Sequence, residues 1–214
     1  MCGVTELRTW GWFSWILIGV ALSCARASSI DDFAASQNTL RAPAVGLARR
    51  AVETYLKTGK TISPPRDLPA LFRRNVGAFV TMSKDGRRKG CKGTFEPAAG
   101  NLAEEIIRAA IGAAAADRRY RPIRANELAD LIFTVSIIGP LKRVRESDGY
   151  STRDYGLLLR TASSTGVILP GEAKTASWRL AEAKRQAGMR AGQSYELFVF
   201  KTVALREDAK RPRR

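Results

Sequence analysis

Histidine is absent from this chain of 214 residues. Histidine is the commonest general base near neutral pH and the commonest metal ligand among the side chains. Its absence excludes a cysteine–histidine catalytic dyad and any zinc site that depends on imidazole. We therefore expect no bound metal ion and no cofactor, and any catalysis must use other side chains.

Long hydrophobic runs are also scarce, and the one at the N-terminus is short. Arg8 precedes an apolar stretch from Trp10 to Ala21, whereas a transmembrane helix needs about 20 apolar residues. Ala25-Arg26-Ala27 has the small-x-small pattern of a signal peptidase site, so residues 1–27 are predicted to be a signal peptide of an exported protein, periplasmic or extracellular. Two alternatives stay open. One is a lipoprotein signal that presents Cys24 for lipidation, and the other is an uncleaved membrane anchor.

Cysteine is limited to three residues, Cys2, Cys24 and Cys91. Cleavage after Ala27 would leave Cys91 alone, so no disulfide could form within the mature chain. A single thiol in an exported domain must be buried, paired between chains or used in function.

Acidic residues are outnumbered, with 20 aspartates and glutamates against 36 lysines and arginines, a net charge of +16 and a pI near 10.5. This excess favours contact with nucleic acid, an anionic surface or an acidic partner. No nucleic-acid-binding motif is present and aromatic residues do not alternate with the basic runs. Nucleic-acid binding is therefore supported by charge alone.

The apolar pattern predicts one α+β domain at residues 42–205, after a flexible lead-in at 28–41 and before a basic tail at 206–214. Helices are predicted from Pro43, from the cap Asn101 to Ala116, and from Gly171 to Ala187. Strands are predicted at 77–82, up to Cys91 beyond an Asp-Gly turn, and at 132–138, 156–160, 166–169 and 195–205. Because helices and strands do not alternate regularly, a mainly antiparallel sheet flanked by helices is favoured over a doubly wound sheet.

The segment from Arg87 to Pro97 places one cysteine between two glycines, beside four cations. Glycine allows tight backbone turns and close approach by other groups. Cations that face a thiol favour its thiolate form. The segment therefore predicts a shaped, electropositive site at Cys91, near the end of a strand.

This segment resembles the hallmark of the AMMECR domain family, whose prokaryotic members are also called AmmeMemoRadiSam system protein A. The hallmark reads L-R-G-C-I-G-T-F and corresponds here to Arg88–Phe95. Further segments agree in order from Val45 to Leu205: 47–51, 77–81, 102–107, 119–123, 127–128, 135–137, 169–170 and Trp178. The resemblance implies two intertwined α/β subdomains packed as one unit. The family's biochemical activity is unsettled, so the resemblance implies no reaction.

Two residues are candidates for catalysis. Cys91 would act as a nucleophilic thiolate, and Glu96 as a general acid or base beside it. Each has a structural alternative. Cys91 could be a small buried residue packed between glycines, and Glu96 could be a strand-end carboxylate paired with a cation.

Candidate ligand-binding residues share positive charge, a glycine backbone or a hydroxyl close to the cysteine. They are Arg88, Lys89, Gly90, Lys92, Gly93 and Thr94, with Arg119 from a basic loop. Since a strand alternates its faces, only about half of the cations in the segment can point the same way. The alternative is a solvated basic edge that blocks strand pairing.

Several positions depart from the family pattern, including Tyr120 and Arg121, which make a segment that is commonly R-F-P-P more polar. Lys92 replaces a residue that is usually apolar, Tyr155 replaces a histidine before Gly156, and Thr175 replaces a glutamate before Trp178. Tyrosine is a poor base because its usual pKa is about 10. Any chemistry that relatives perform with the replaced residues is therefore not available here in the same form.

These observations favour a binding or accessory module centred on Gly90–Gly93. The resemblance implies association with Memo-like proteins and radical S-adenosylmethionine proteins, and an exported chain could meet only an exported Memo-like protein. Two alternatives stay open. The first is an enzyme that depends on Cys91, and the second is phosphate or nucleic-acid binding through the basic surface.

Overall fold

The computed structural model describes residues 30–208. The predicted signal segment with Cys2 and Cys24, and the end of the basic tail from residue 209, lie outside the described residues. Between Ile30 and Asp208, none of the helices is both long and apolar enough to cross a membrane.

Two antiparallel four-stranded sheets form the framework, which confirms the predicted α+β class. The first sheet has the strand order β2-β1-β3-β8 and contains β1 (Ala78–Lys84), β2 (Arg87–Gly93), β3 (Ile132–Ile138) and β8 (Thr202–Arg206). The second sheet has the order β4-β7-β5-β6 and contains β4 (Lys142–Val144), β5 (Gly156–Arg160), β6 (Thr165–Ile168) and β7 (Glu196–Phe200).

The α-helices cover one face of each sheet. They are α1 (Ile30–Ala35), α2 (Gln37–Thr58), α3 (Leu102–Ala115) and α4 (Ala176–Gln186), with short 3₁₀ segments at Ala70–Arg73, Ala125–Asp130 and Glu146–Asp148. Helices α2 and α3 pack together on the first sheet, and α4 packs on β5 and β6 of the second. Helix α3 begins as predicted, because the Asn101 side chain accepts a hydrogen bond from the Glu104 amide.

The lead-in expected at 28–41 is helical from Ile30 onward. Phe33 and Leu40 are 1% exposed and join the core around α2. Helix α2 also passes through Pro43, where the sequence predicted a helix start. An interior proline loses its amide hydrogen bond and crowds the carbonyl four residues earlier, but buried side chains before and after Pro43, such as Leu40 and Leu47, hold both parts of the helix against the core.

The strand predicted at 195–205 is divided between the two sheets. Glu196–Phe200 pairs with β4 and β5, and Thr202–Arg206 pairs with β3, so the chain changes sheets at Lys201. Between the sheets, the rings of Phe79, Phe95 and Phe200 meet edge to face with centroids 5.0 Å apart. The two α/β halves are therefore joined by the one-residue connection between β7 and β8 at Lys201 and by an aromatic cluster.

Helix α3 lies against β2 at a point where only glycine fits. A Cβ atom on Gly90 would stand 2.2 Å from the backbone oxygen of Ala113. Two backbones thus meet without an intervening side chain, which fixes the depth at which α3 crosses the strand that carries Cys91.

We predict that Gly90→Ala lowers the free energy of unfolding by about 1–3 kcal/mol, because the helix backbone must move to admit the methyl group. Urea unfolding of the full chain measures the change. Gly46→Ala is the matched control: it lies inside α2, where an added Cβ meets nothing within 4 Å. The free energy of unfolding of Gly46→Ala should rise by about 0.5–1 kcal/mol, because alanine is favoured over glycine inside a helix. Equal effects of the two variants would contradict the close contact.

Candidate functional site

A β-bulge in β2 decides which side chains accompany Cys91. Thr81 pairs with Cys91 and Met82 with Gly90, but Ser83 pairs with Arg88, so Lys89 is the extra residue. Without a bulge, the alternation of side chains along β2 would place Arg88 and Cys91 on opposite faces of the sheet. Because of the bulge, Arg88 lies on the same face as Thr81 and Cys91. A guanidinium therefore joins the thiol on one face of the sheet.

The backbone of Cys91 is held by a pair of side chains beyond α3. Its amide donates to Asp117 Oδ2 at 2.9 Å, and its carbonyl accepts from Arg119 Nη2 at 2.8 Å. Strand β2 is an edge strand, so this amide and carbonyl have no neighbouring strand on that side. Asp117 and Arg119, themselves joined at 2.9 Å, supply the missing hydrogen bonds and keep the edge from pairing with another chain.

The Cys91 thiol is half-buried and accepts a hydrogen bond from Thr81 Oγ1, with oxygen and sulfur 3.3 Å apart. Neighbouring side chains on this face, Ser83 and Thr134, are also partly exposed. Cys91 is thus neither fully buried nor fully exposed, and its sulfur accepts a hydrogen bond from a hydroxyl that would stabilise negative charge.

Two guanidinium groups lie close enough to Cys91 that a thiolate there would raise their pKa. Burial lowers the pKa of Arg88, but the charges of Cys91 and Glu172 outweigh burial and the net shift is upward. The hydrogen bond with Asp117 raises the pKa of Arg119, burial opposes it, and Cys91 adds to the increase. Arg88 also forms an ion pair with Glu172 at 2.8 Å. The thiol therefore lies near two guanidiniums, each paired with a carboxylate, and Arg88 is tied to the second half of the domain.

Asp117 stays ionised beside these cations. Burial raises the pKa of its carboxyl, but hydrogen bonds from Arg119 and from the amides of Cys91 and Arg119 outweigh burial, so the pKa lies below its usual range. The carboxylate thus holds the Cys91 backbone without taking up a proton near neutral pH.

The remaining predicted residues of the segment point in several directions. Lys92 lies on the α3 side, where its stem covers Gly112 and its Nζ donates to the Ala116 carbonyl at 3.1 Å. Gly93 lies against Ala78 and Phe79 of β1. Arg88 and Arg119 therefore lie near Cys91, whereas Lys92 binds the carbonyl at the C-terminal end of α3.

Thr94 and Glu96 follow the strand and bind elsewhere. Thr94 donates its hydroxyl to Glu105 at 2.5 Å. Glu96 is exposed and forms an ion pair with Arg160 of β5 at 3.1 Å. The structure records no hydrogen bond between either side chain and Cys91 in the described part of the chain, and the Glu96 contact bridges the two sheets.

Glu105, like Asp117, is a residue whose contacts sequence reasoning missed. Its side chain is fully buried and accepts hydrogen bonds from Thr94, from Arg108 and from the amides of Ala98 and Ala99. The sequence analysis left it out of the candidate site. A signal existed, because Glu105 falls on the apolar face of α3 beside Leu102 and Ile106, where a carboxylate needs a structural reason.

Two residues that depart from the family pattern, Thr175 and Tyr155, make structural contacts in the second half of the domain. Thr175 caps α4 and accepts a hydrogen bond from the Trp178 amide at 3.2 Å. Tyr155 precedes β5, and its ring meets Tyr150 with centroids 5.1 Å apart. Both residues therefore organise the second half of the domain.

Comparison with known proteins identifies the family to which this fold belongs. Residues 45–205 match the AMMECR1 family model, and the chain belongs to that family. A protein of Thermotoga maritima is 38% identical over 151 residues, covering 69% of this chain and 87% of the relative. A protein of Methanothermobacter thermautotrophicus is 34% identical over 163 residues, covering 72% and 83%.

A solved structure shares the fold. The crystal structure of the uncharacterized protein PH0010 from Pyrococcus horikoshii superposes with a TM-score of 0.70 at 28% identity, covering 78% of this chain and 90% of that one. The resemblance found in the sequence is therefore confirmed at the level of family and fold.

We predict that Glu105→Gln lowers the free energy of unfolding at pH 7 by about 1.5–3 kcal/mol, since charge-assisted hydrogen bonds are replaced by neutral ones. Burial raises the pKa of Glu105, but the bonds from Thr94, Arg108 and Ala98 outweigh it and the net shift is downward. The stabilisation is complete above the pKa of an unfolded glutamate, about 4.3, and is lost as pH falls through the folded pKa. Urea unfolding between pH 7 and pH 3 should show the gap between the two proteins narrowing.

The matched control for this prediction is Glu104→Gln, one residue earlier in the same helix. Its side chain is exposed and, among residues 30–208, accepts hydrogen bonds from the Gly100 amide and from Asn101 Nδ2, so the loss should stay below about 1 kcal/mol. A gap between Glu105→Gln and the unaltered protein that stays constant across the pH range would contradict the role assigned to the buried charge.

Proposed function

We propose that this AMMECR1 domain is a binding or accessory module that receives an anionic group over Cys91. The observation that carries the proposal is the bulge at Lys89, which turns Arg88 onto the face of the thiol. The bulge thus places the guanidinium of Arg88 on a polar and partly exposed face of the sheet. Bulges at sheet edges commonly re-aim one side chain in this way.

The polarity of the surroundings supports an anion as the guest. Arg88 and Arg119 stand beside Cys91, and their acidic partners Glu172 and Asp117 each neutralise one of them. The Cys91 thiolate, when formed, is a third negative group that these cations stabilise. When the thiol is protonated, the two carboxylates balance the two guanidiniums, so an anionic side chain or a small anion can take the place of the thiolate beside the guanidinium donors.

A second function is favoured by the hydroxyl of Thr81. Its hydrogen bond to the Cys91 sulfur at 3.3 Å and the two nearby guanidiniums are features of an activated thiolate. In this alternative Cys91 is a nucleophile. Because the chain has no histidine to act as a base, the nearby guanidiniums would stabilise its thiolate form.

Location and partner complete the proposal. The pattern in residues 1–27 supports export, and the family resemblance supports an exported Memo-like protein as the partner. An acidic segment of such a partner would be the group that approaches Arg88 and Cys91.

The site is tested by the rate at which Cys91 reacts with an anionic disulfide, dithiobis-nitrobenzoate, relative to neutral dithiodipyridine. Cys2→Ser and Cys24→Ser leave Cys91 as the reporting thiol of the full chain. Removing one nearby charge changes the interaction with an anion by about 1 kcal/mol. Arg88→Gln should therefore lower the rate ratio about fivefold, and added salt should lower the ratio in the parent protein.

Arg87→Gln is the matched control because it removes the same charge from the neighbouring residue. Arg87 pairs with Lys84 and so lies on the opposite face of the sheet. Its rate ratio should stay within about twofold of the parent's, as a remote charge is screened. Equal losses in the two variants would show a general effect of net charge, and a thiol that reacts only after denaturation would show a closed site.

Export is tested separately by the intact mass of the protein purified from its own cells. Cleavage after Ala27 gives a chain that begins at Ser28. A lipid-modified Cys24 at the new N-terminus would establish the lipoprotein alternative, and a mass that includes residues 1–27 would contradict cleavage.

A further inference from the structure

The second sheet contains a cavity that is separate from the Cys91 site. Helix α4 covers β5 and β6, and a space of about 290 Å³ lies between α4, strands β4 and β7, and the segment 144–150. Its apolar lining residues are Val144, Leu157, Leu180, Leu197 and Val199. The sheet face that α4 leaves uncovered is thus a hydrophobic pocket.

A buried arginine forms part of this cavity. Arg179 lines it and is 6% exposed. The Nη2 of Arg179 donates to the Tyr150 carbonyl at 3.1 Å and Nη1 to the Tyr155 carbonyl at 3.2 Å. Within residues 30–208, Nε is buried with no hydrogen-bond partner, and no carboxylate forms an ion pair with Arg179.

An uncompensated buried cation is costly. Burial alone lowers the pKa of Arg179, with no opposing contribution from a nearby acid. Proteins ordinarily pair a buried charge or coordinate it. The three carbonyl contacts of Arg179, which include a longer one to Ser151 at 3.5 Å, spread its charge but do not neutralise it. The counter-charge is missing from the described part of the chain.

The rim of the cavity adds further attraction for an anion. Ala176 and Ser177 line the cavity in the first turn of α4, whose 11 residues begin there. Amides of a first helical turn lack partners within the helix and carry the positive end of its dipole. Arg145 also lines the cavity.

The cavity has one acidic lining residue, Glu146. Its carboxylate forms an ion pair with Lys184 at 3.3 Å and accepts a hydrogen bond from the Tyr195 hydroxyl. Glu146 is therefore already neutralised, and the charge that remains in the cavity is positive.

We propose that this cavity binds a small organic anion, with its carboxylate near Arg179 and the start of α4 and its apolar body against Leu157, Leu197 and Val199. Ligand cavities usually measure about 300–1,000 Å³, so this volume limits the body to roughly one aromatic ring or a short hydrocarbon chain. None of the lining residues belongs to the Cys91 site, and the inference does not depend on the function proposed there.

The test uses isothermal titration calorimetry of the full chain with 3-phenylpropanoate as the probe. Neutral 3-phenylpropanol lacks the charge, and acetate lacks the apolar body. Phenylpropanoate should bind at least tenfold more tightly than either. No heat at millimolar concentration, or equal binding of the acid and the alcohol, would overturn the proposal and leave Arg179 as a tether for the segment 150–155. Equal binding of acetate would overturn the apolar part.

The position of the ligand is tested with Ser177→Asp. Aspartate in the first turn of a helix is favourable for the fold, but it places a negative charge at the rim and should weaken phenylpropanoate binding at least tenfold. Ser163→Asp adds the same charge in the exposed turn between β5 and β6 and should leave affinity within twofold. Equal affinity of both variants would place the ligand elsewhere and overturn the assignment.

Discussion

The close contact between α3 and β2 at Gly90 is the constraint on which the candidate site depends. The two backbones touch there, since a Cβ atom added to Gly90 would stand 2.2 Å from the Ala113 carbonyl oxygen. Both ends of α3 therefore lie beside the segment that carries Cys91. The C-terminal end delivers Asp117 to the Cys91 amide, and the N-terminal end delivers Glu105 to Thr94 and the loop after it. One helix thus fixes the segment from two sides.

Lys92 shows how a departure from the family pattern is accommodated by the same contact. Its stem packs on Gly112 of α3, which is the apolar role expected at this position, while its ammonium group reaches the Ala116 carbonyl. A cation at a helix C-terminus is stabilised by the dipole and by an unsatisfied carbonyl. The substitution is therefore a feature of helix packing, and the positive charges that matter at the thiol are those of Arg88 and Arg119.

Local patterns predicted the fold well and the site incompletely. The alternation of Phe133, Val135 and Ile137 defined β3, and Asp85 and Gly86, with φ of 50° and 72°, form the expected hairpin turn. Local patterns could not reveal the bulge at Lys89 or the change of sheet at Lys201, since both depend on which strand lies alongside. The cysteine hallmark is contiguous in the chain and was therefore visible in the sequence. Asp117, Glu105 and Arg179 acquire their roles only from contacts with residues that are distant in sequence.

The change of sheet at Lys201 also explains why the two halves act as one domain. Strand β8 completes the first sheet with residues from the end of the chain, and its far end is clamped by Arg49, which binds the Glu207 carboxylate at 2.7 Å and the carbonyls of Leu128 and Leu131. Glu207 in turn accepts the Phe133 amide. The first sheet therefore cannot be completed without the chain that has just passed through the second. The ion pair between Arg88 and Glu172 spans the same boundary, so the surroundings of Cys91 are set by both halves together.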